Sequence, residues 1–226
     1  MALGIRTESA PLDLIPIVKY DARAGRIARV DRSNDGSGWA TSNEDITANF
    51  KAVFDLENVE IGWMNFASGG APDFRMVALG NDPGGRPSDG HKEGFRIMMK
   101  LSKECGGDVR ELCSTAKAVI GAFDELHDAY LKEADANPGK LPVIAMTGAR
   151  AIQTNAPNGS KTTNYAPVFK IEAWVPRPAD LVFKPKSPAK TAAPSAAAKT
   201  SPATGSTRAA PPPAASAQAD AANDFG

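Results

Sequence analysis

From Lys184 to the C-terminus the chain has no Leu, Ile, Val, Met, Trp or Tyr, and Phe225 is its only aromatic residue. Ala, Pro, Ser and Thr dominate, as in SPAKTAAPSAAAKTSPATGSTRAAPPPAASAQ. Such a segment cannot bury enough apolar surface to offset the entropy of ordering it. Its scattered prolines also interrupt every alanine run before it can turn helical. A folded core must come from the residues before Pro185. The chain therefore reads as a globular part followed by a disordered tail, residues 184–226, with a reach of roughly 35 Å by coil scaling.

The 26 basic and 26 acidic residues cancel, so net charge does not draw this protein to a polyanion. Residues 1–185 hold 22 bases and 24 acids, while the tail places Lys186, Lys190, Lys199 and Arg208 before two acids at its tip, Asp220 and Asp224. Cys105 and Cys113, eight apart, match no zinc spacing, and His91 and His127 are the only histidines. No metal or cofactor is expected, and no disulfide is needed. The N-terminus lacks a basic region followed by an apolar one, and no run approaches the ~18 apolar residues of a membrane span. The expected location is cytoplasmic, with no membrane partner.

Hydrophobic periodicity divides the globular part. Leu12–Tyr20 and Arg26–Asp31 are strand-like, and residues 1–48 read as an extension packed on a domain at 49–183. The stretch from Ser33 to Asn49 is rich in turn residues and reads as a loop. Alternation from Phe50 to Trp63 predicts one long half-buried strand, bulged near Glu57–Asn58. Phe74–Leu79 predicts a second strand, Gly80–Gly94 a long mobile loop, and Phe95–Leu101 a third strand. Apolar residues then recur at spacings of three and four from Val109 to Leu131, predicting a helix of about 25 residues. Asp108 is its expected N-cap, and Cys113 lies on its apolar face. Leu141–Gln153 and Pro167–Val175 complete the set as strands.

Three strands, a helix and two strands make a mainly β fold with one long helix (α+β). The order matches an OB-like five-stranded barrel, β-β-β-α-β-β, whose helix sits between the third and fourth strands. The competing plan is a plain β-sheet packed on one helix.

No sequence feature nominates an enzyme. P-loop, GxSxG, HExxH and CxxC patterns are absent. Paired carboxylates such as Asp55/Glu57 and Asp124/Glu125 read as solvated faces, and no catalytic residue is expected. Two segments instead interleave cations with aromatics. The first, Lys19 to Arg32, includes Lys19, Arg26 and Arg29. The second spans strands two and three and holds Arg75, Arg86, His91, Lys92, Arg96 and Lys100, with Trp63, Phe66 and Phe74 close in sequence. Cations that follow phosphates beside aromatic faces that stack bases form the combination that holds single-stranded nucleic acid. Trp39, in a loop without apolar periodicity, and Tyr165, before the last strand, join the candidate set.

This layout, with a tip carrying Asp220, Asp224 and Phe225, resembles phage and bacterial single-stranded DNA-binding proteins. The segment from Asn164 to Pro178 has the character of phage replication-module proteins. The resemblance implies single-stranded DNA as ligand, a role in DNA replication or recombination, and a tip that docks replication or recombination proteins. It is compatible with a homo-oligomer. The tip departs from the family pattern, because its two acids are spaced apart and Gly226 follows the phenylalanine. The competing class is a phage structural or assembly protein making protein contacts only.

Overall fold

A computed structural model describes residues 15–34, 38–66, 72–155 and 159–186, together with Asp224. Among these residues the chain is mainly β, with one α-helix and a ten-stranded sheet. The strands are β1 (Ile17–Asp21), β2 (Arg26–Asn34), β3 (Trp39–Asp45), β4 (Lys51–Phe54), β5 (Glu60–Asn65), β6 (Asp73–Ala78), β7 (Lys92–Leu101), β8 (Val109–Ser114), β9 (Lys140–Asn155) and β10 (Lys161–Pro176). The helix, α1, spans Lys117–Ala134.

The sheet runs β10-β9-β4-β7-β8-β1-β2-β3, and β5 and β6 branch from β7. β4 and β5 correspond to the long alternating strand of the sequence. A 3-10 turn at Leu56–Asn58, where the bulge is expected, separates them, and both pair antiparallel with β7. At this bend the outer edge changes partner: β4 pairs β9, whereas β5 pairs β6.

The bend is pinned by charge. Asp55 is fully buried and accepts two hydrogen bonds from Arg177, both 2.8 Å long, and one of 2.9 Å from Asn58. Asp55 is therefore not on a solvated face, although exposed Glu57 also reaches Arg177. The pairing holds the Arg177 guanidinium firmly charged, its pKa raised above the ordinary arginine value first by the hydrogen bonds to Asp55.

The helix is shorter than its sequence period suggests. Val109–Ser114 forms β8, antiparallel to β7 and parallel to β1, so Cys113 lies on a strand and Asp108 caps no helix. Val109, Leu112 and Cys113 satisfy helical spacing by coincidence, whereas Ser114 and Thr115 favour extended backbone. Helix α1 starts after Ala116, which has no side-chain cap, and Asp108 accepts a hydrogen bond from Arg110 instead. β3 was hidden in the expected loop because its central residues are exposed, which leaves an edge strand without hydrophobic alternation.

One face of the sheet carries the main core. Phe95, Ile97, Met99 and Leu101 of β7 meet Val119, Phe123, Leu126 and Tyr130 of α1 there. Phe95 stacks on Phe123 with centroids 4.1 Å apart, and Tyr130 stacks on Trp174 at 5.7 Å. The opposite face holds a smaller core of Val53, Met98, Leu141, Val143, Val175 and Leu181. The strap at residues 177–186 covers it, so ordered contacts extend past Lys184. The sheet curls until the β1–β2 turn touches β10. There the Tyr165 N–H donates to Ala22 O at 2.6 Å and the Tyr20 hydroxyl to Tyr165 O at 3.2 Å.

Candidate nucleic-acid interface

The period-two pattern of β5 and β7 puts Ile61, Trp63, Glu93 and Phe95 on one face, with Ile61 opposite Phe95 and Trp63 opposite Glu93. Helix α1 and the segment at 79–91 wall this face into a groove of about 660 Å³. Ile61, Trp63, Phe95, Ile120 and Phe123 form its apolar floor; Arg86, His91, Lys92, Lys117 and His127 stand around it with Glu93 and Asp124. The volume lies within the range of small-ligand pockets.

The segment read as a mobile loop is tied down. The Trp63 indole N–H donates to Gly84 O at 2.9 Å, and Arg86 Nε donates to His91 O at 2.8 Å. His91 is buried, with Nδ1 2.8 Å from the exposed Ser88 hydroxyl, and its backbone N–H donates to Ser88 O at 3.0 Å. Its Nε2 lies 3.3 Å from the Asp73 carboxylate but outside hydrogen-bonding geometry.

The expected cation–aromatic set separates over three places. Trp63 lines the groove, and exposed Arg75 stands opposite it across β5–β6, paired with Asp73 at 3.3 Å. A second group forms where the β1–β2 turn meets β10. Tyr165 packs there on Gly25, whose φ of +68° disfavours other residues and where a Cβ would sit a tight 3.1 Å from Tyr165 Cβ, close to exposed Lys19, Arg23 and Arg26. Arg26 pairs with Asp45 at 2.9 Å, while half-buried Arg29 is held by Asp31 at 2.9 Å and Glu44 at 2.7 Å. Asp21 folds into its own turn. The backbone N–H groups of Arg23 and Ala24 hold its carboxyl below the ordinary aspartate range.

The third place faces away from the groove. Arg96 is 1% exposed and bonds Glu60, Glu111 at 2.7 Å and the carbonyl of Lys184 at 2.9 Å. Lys186 adds a cation 2.7 Å from Glu111 and lies 5.2 Å above the Phe74 ring. Phe74 in turn packs edge-to-face with exposed Phe66 at 5.5 Å. Lys100 pairs with Asp180 of the strap. Arg96 and Lys100 point to the opposite face from Phe95, Ile97 and Met99, so neither shares the groove with Trp63. Burial pushes the Cys113 thiol beside this cluster up to about 12, with Glu111 adding to the effect.

Trp39 begins β3, but its side chain lies outside the described residues, as do Asp220 and Phe225; Asp224 is described alone. The sequence reading did not single out Lys117, Phe123 or His127 as site residues. Phe123 was legible as one of the apolar positions of the helix, but its partner Phe95, 28 positions earlier in the sequence, was not.

Among the described residues no cluster of His, Cys, Asp or Glu is arranged to hold a metal ion, and no helix is long and apolar enough to cross a membrane. Comparison with protein-family models, curated proteins and solved structures finds no match for this chain.

Proposed function

We propose that this protein binds single-stranded DNA without transforming it, in phage replication or recombination within the host cytoplasm. The observation that carries the reading is the groove, where half-buried Trp63 offers an aromatic face, with Phe95 and Phe123 buried in the core, and Arg86, Lys92 and Lys117 stand around it. A base stacked on an aromatic face contributes about 1–3 kcal/mol whatever its identity. The three cations supply the sequence-independent attraction to phosphate. Duplex bases, already stacked and paired, cannot enter without melting.

The OB-like plan belongs to the same proposal. It rests on counting β4 and β5 as one bent strand, followed by β6, β7, α1, β9 and β10, and on reading β8 and β1–β3, which bring the sheet to ten strands, as additions. Docking of replication proteins by the tail tip follows from the family resemblance.

The test is anisotropy of labelled oligo-dT at two salt concentrations, with a duplex control. Single strands should bind more tightly than duplex, binding should weaken as salt rises, and Lys92→Glu/Lys117→Glu should weaken it further. Absence of oligo-dT binding at low salt would overturn the proposal in favour of an assembly protein. That second reading draws on the edge strands β3 and β10, each of which has one partner strand among the described residues.

A further inference from the structure

Between Asp135 and Glu172 the chain has no Asp or Glu, although acids number 26 in 226 residues, about one in nine. Four cations, Lys140, Arg150, Lys161 and Lys170, lie in that interval. Nearly all of it is the β9–β10 hairpin, and the half beyond Met146 is largely exposed and dense in Thr, Asn and Gln. The ribbon extends past the short stretch of β9 that pairs with β4, at Val143–Ala145. It is nevertheless braced, by the two hydrogen bonds between Tyr165 and the β1–β2 strands and turn, and by Arg150 reaching Glu125 of α1 at 2.7 Å. The brace sets exposed Arg23 beside the ribbon that carries exposed Lys161. The acids at its borders are engaged: Asp21 in its own turn, Asp45 with Arg26 and Glu125 with Arg150.

We infer that the β9–β10 ribbon and the β1–β2 turn form a second contact surface for the sugar–phosphate backbone of single-stranded DNA, distinct from the groove. The inference rests on the single-strand reading above and divides the labour within it. The groove takes bases, and the ribbon takes phosphates of a strand too long for the groove alone. Charge complementarity selects the occupant, since an acid-free, hydroxyl- and amide-rich ribbon offers donors without like-charge repulsion. The exposed acids of α1, Asp124 and Asp128, disfavour a strand path across the helix between the two surfaces.

Binding of dT6 and dT30 to the full chain, measured from 50 mM to 1 M salt, tests this with Arg23→Glu/Lys161→Glu. Each lost phosphate contact should flatten the dependence of log K on log salt by about 0.7, so the double variant should flatten the dT30 slope by about 1.4. Its dT6 affinity should stay within about twofold of the wild type. Lys92→Glu/Lys117→Glu should do the reverse, losing dT6 and retaining a residual, ribbon-dependent affinity for dT30. An unchanged dT30 slope in the ribbon variant overturns the inference and leaves the groove reading standing. Equal loss of dT6 and dT30 also overturns it, because the cations would then serve one site. A ribbon variant that binds dT30 normally but sediments as a smaller species overturns it in favour of a contact between copies. If the wild type binds neither oligonucleotide, both proposals fall.

Discussion

Arg96→Met should be among the most damaging single changes in this fold. Glu60 and Glu111 are each 3% exposed and face Arg96 at 1%, with Lys186 completing the cluster. At separations near 4 Å and an effective dielectric of about 20, each charge pair contributes about 4 kcal/mol before desolvation is subtracted. Methionine roughly preserves side-chain volume but leaves two carboxylates sharing a single lysine. Breaking a buried ion cluster in this way costs about 3–5 kcal/mol. Lys186→Met removes a cation whose side chain is 23% exposed, where water screens the loss, and about 1–2 kcal/mol is expected.

Urea denaturation followed by circular dichroism reads the deficit, and one under about 1 kcal/mol would refute the argument and show the cluster to be open to water. The same reasoning revises a reading of the sequence: charge reversal at Arg96 should unfold the protein rather than selectively release DNA.

Gly25→Ala would place a Cβ 3.1 Å from Tyr165 Cβ and 3.2 Å from Ala149 Cβ at a φ of +68°. It should cost about 1–3 kcal/mol in thermal unfolding and speed hydrogen exchange at the Tyr165 amide, and protection equal to wild type would deny the brace. Phe123→Ala should lose about 3–5 kcal/mol and weaken dT6 binding, whereas Phe123→Leu should recover most of the stability; a weaker effect on both would mean that the Phe95 stack is not the groove floor. Burial raises the Cys113 thiol from 9.0 to about 12 and the Tyr20 hydroxyl from 10.0 to about 12. Their stabilising neutral forms are fully present below pH 9, and stability should decline progressively from there to pH 12. Cys113→Ala should flatten the start of that decline, and an unaltered alkaline profile would exclude the thiol.

The parts of the fold legible in the sequence were strands whose apolar residues recur at every second position, although β4 and β7 prove to be buried on both faces. The strand from Phe50 to Trp63 was visible with its bend, because Phe50, Phe54, Val59 and Met64 are buried around it. β3 gave no signal because an exposed edge strand buries nothing along its length. β8 was absorbed into the helix because three apolar residues fit both periods, and only pairing with β7 and β1 distinguishes them. For the site, sequence proximity grouped Trp63 with Arg96, whereas strand pleating sends the two to opposite faces. Arg96 looked like a surface cation because its partners, Glu60, Glu111 and the Lys184 carbonyl, come from distant positions. Tyr165 entered the candidate set with no link to the basic N-terminal segment, and only the curl of the sheet brings it against the β1–β2 turn.

The three-residue bend at Leu56–Asn58 divides the sheet into two leaves hinged on β7. One leaf, β4 with β9 and β10, takes part in the main core with α1. The other, β5 with β6 and the segment up to His91, carries much of the groove wall and supports less of that core. The segment joining β6 to β7 can then be lengthened, shortened or exchanged while Asp55, Arg177 and the buried Glu60 stay in place, so a library confined to residues 79–90 should explore new ligands on an unchanged chassis.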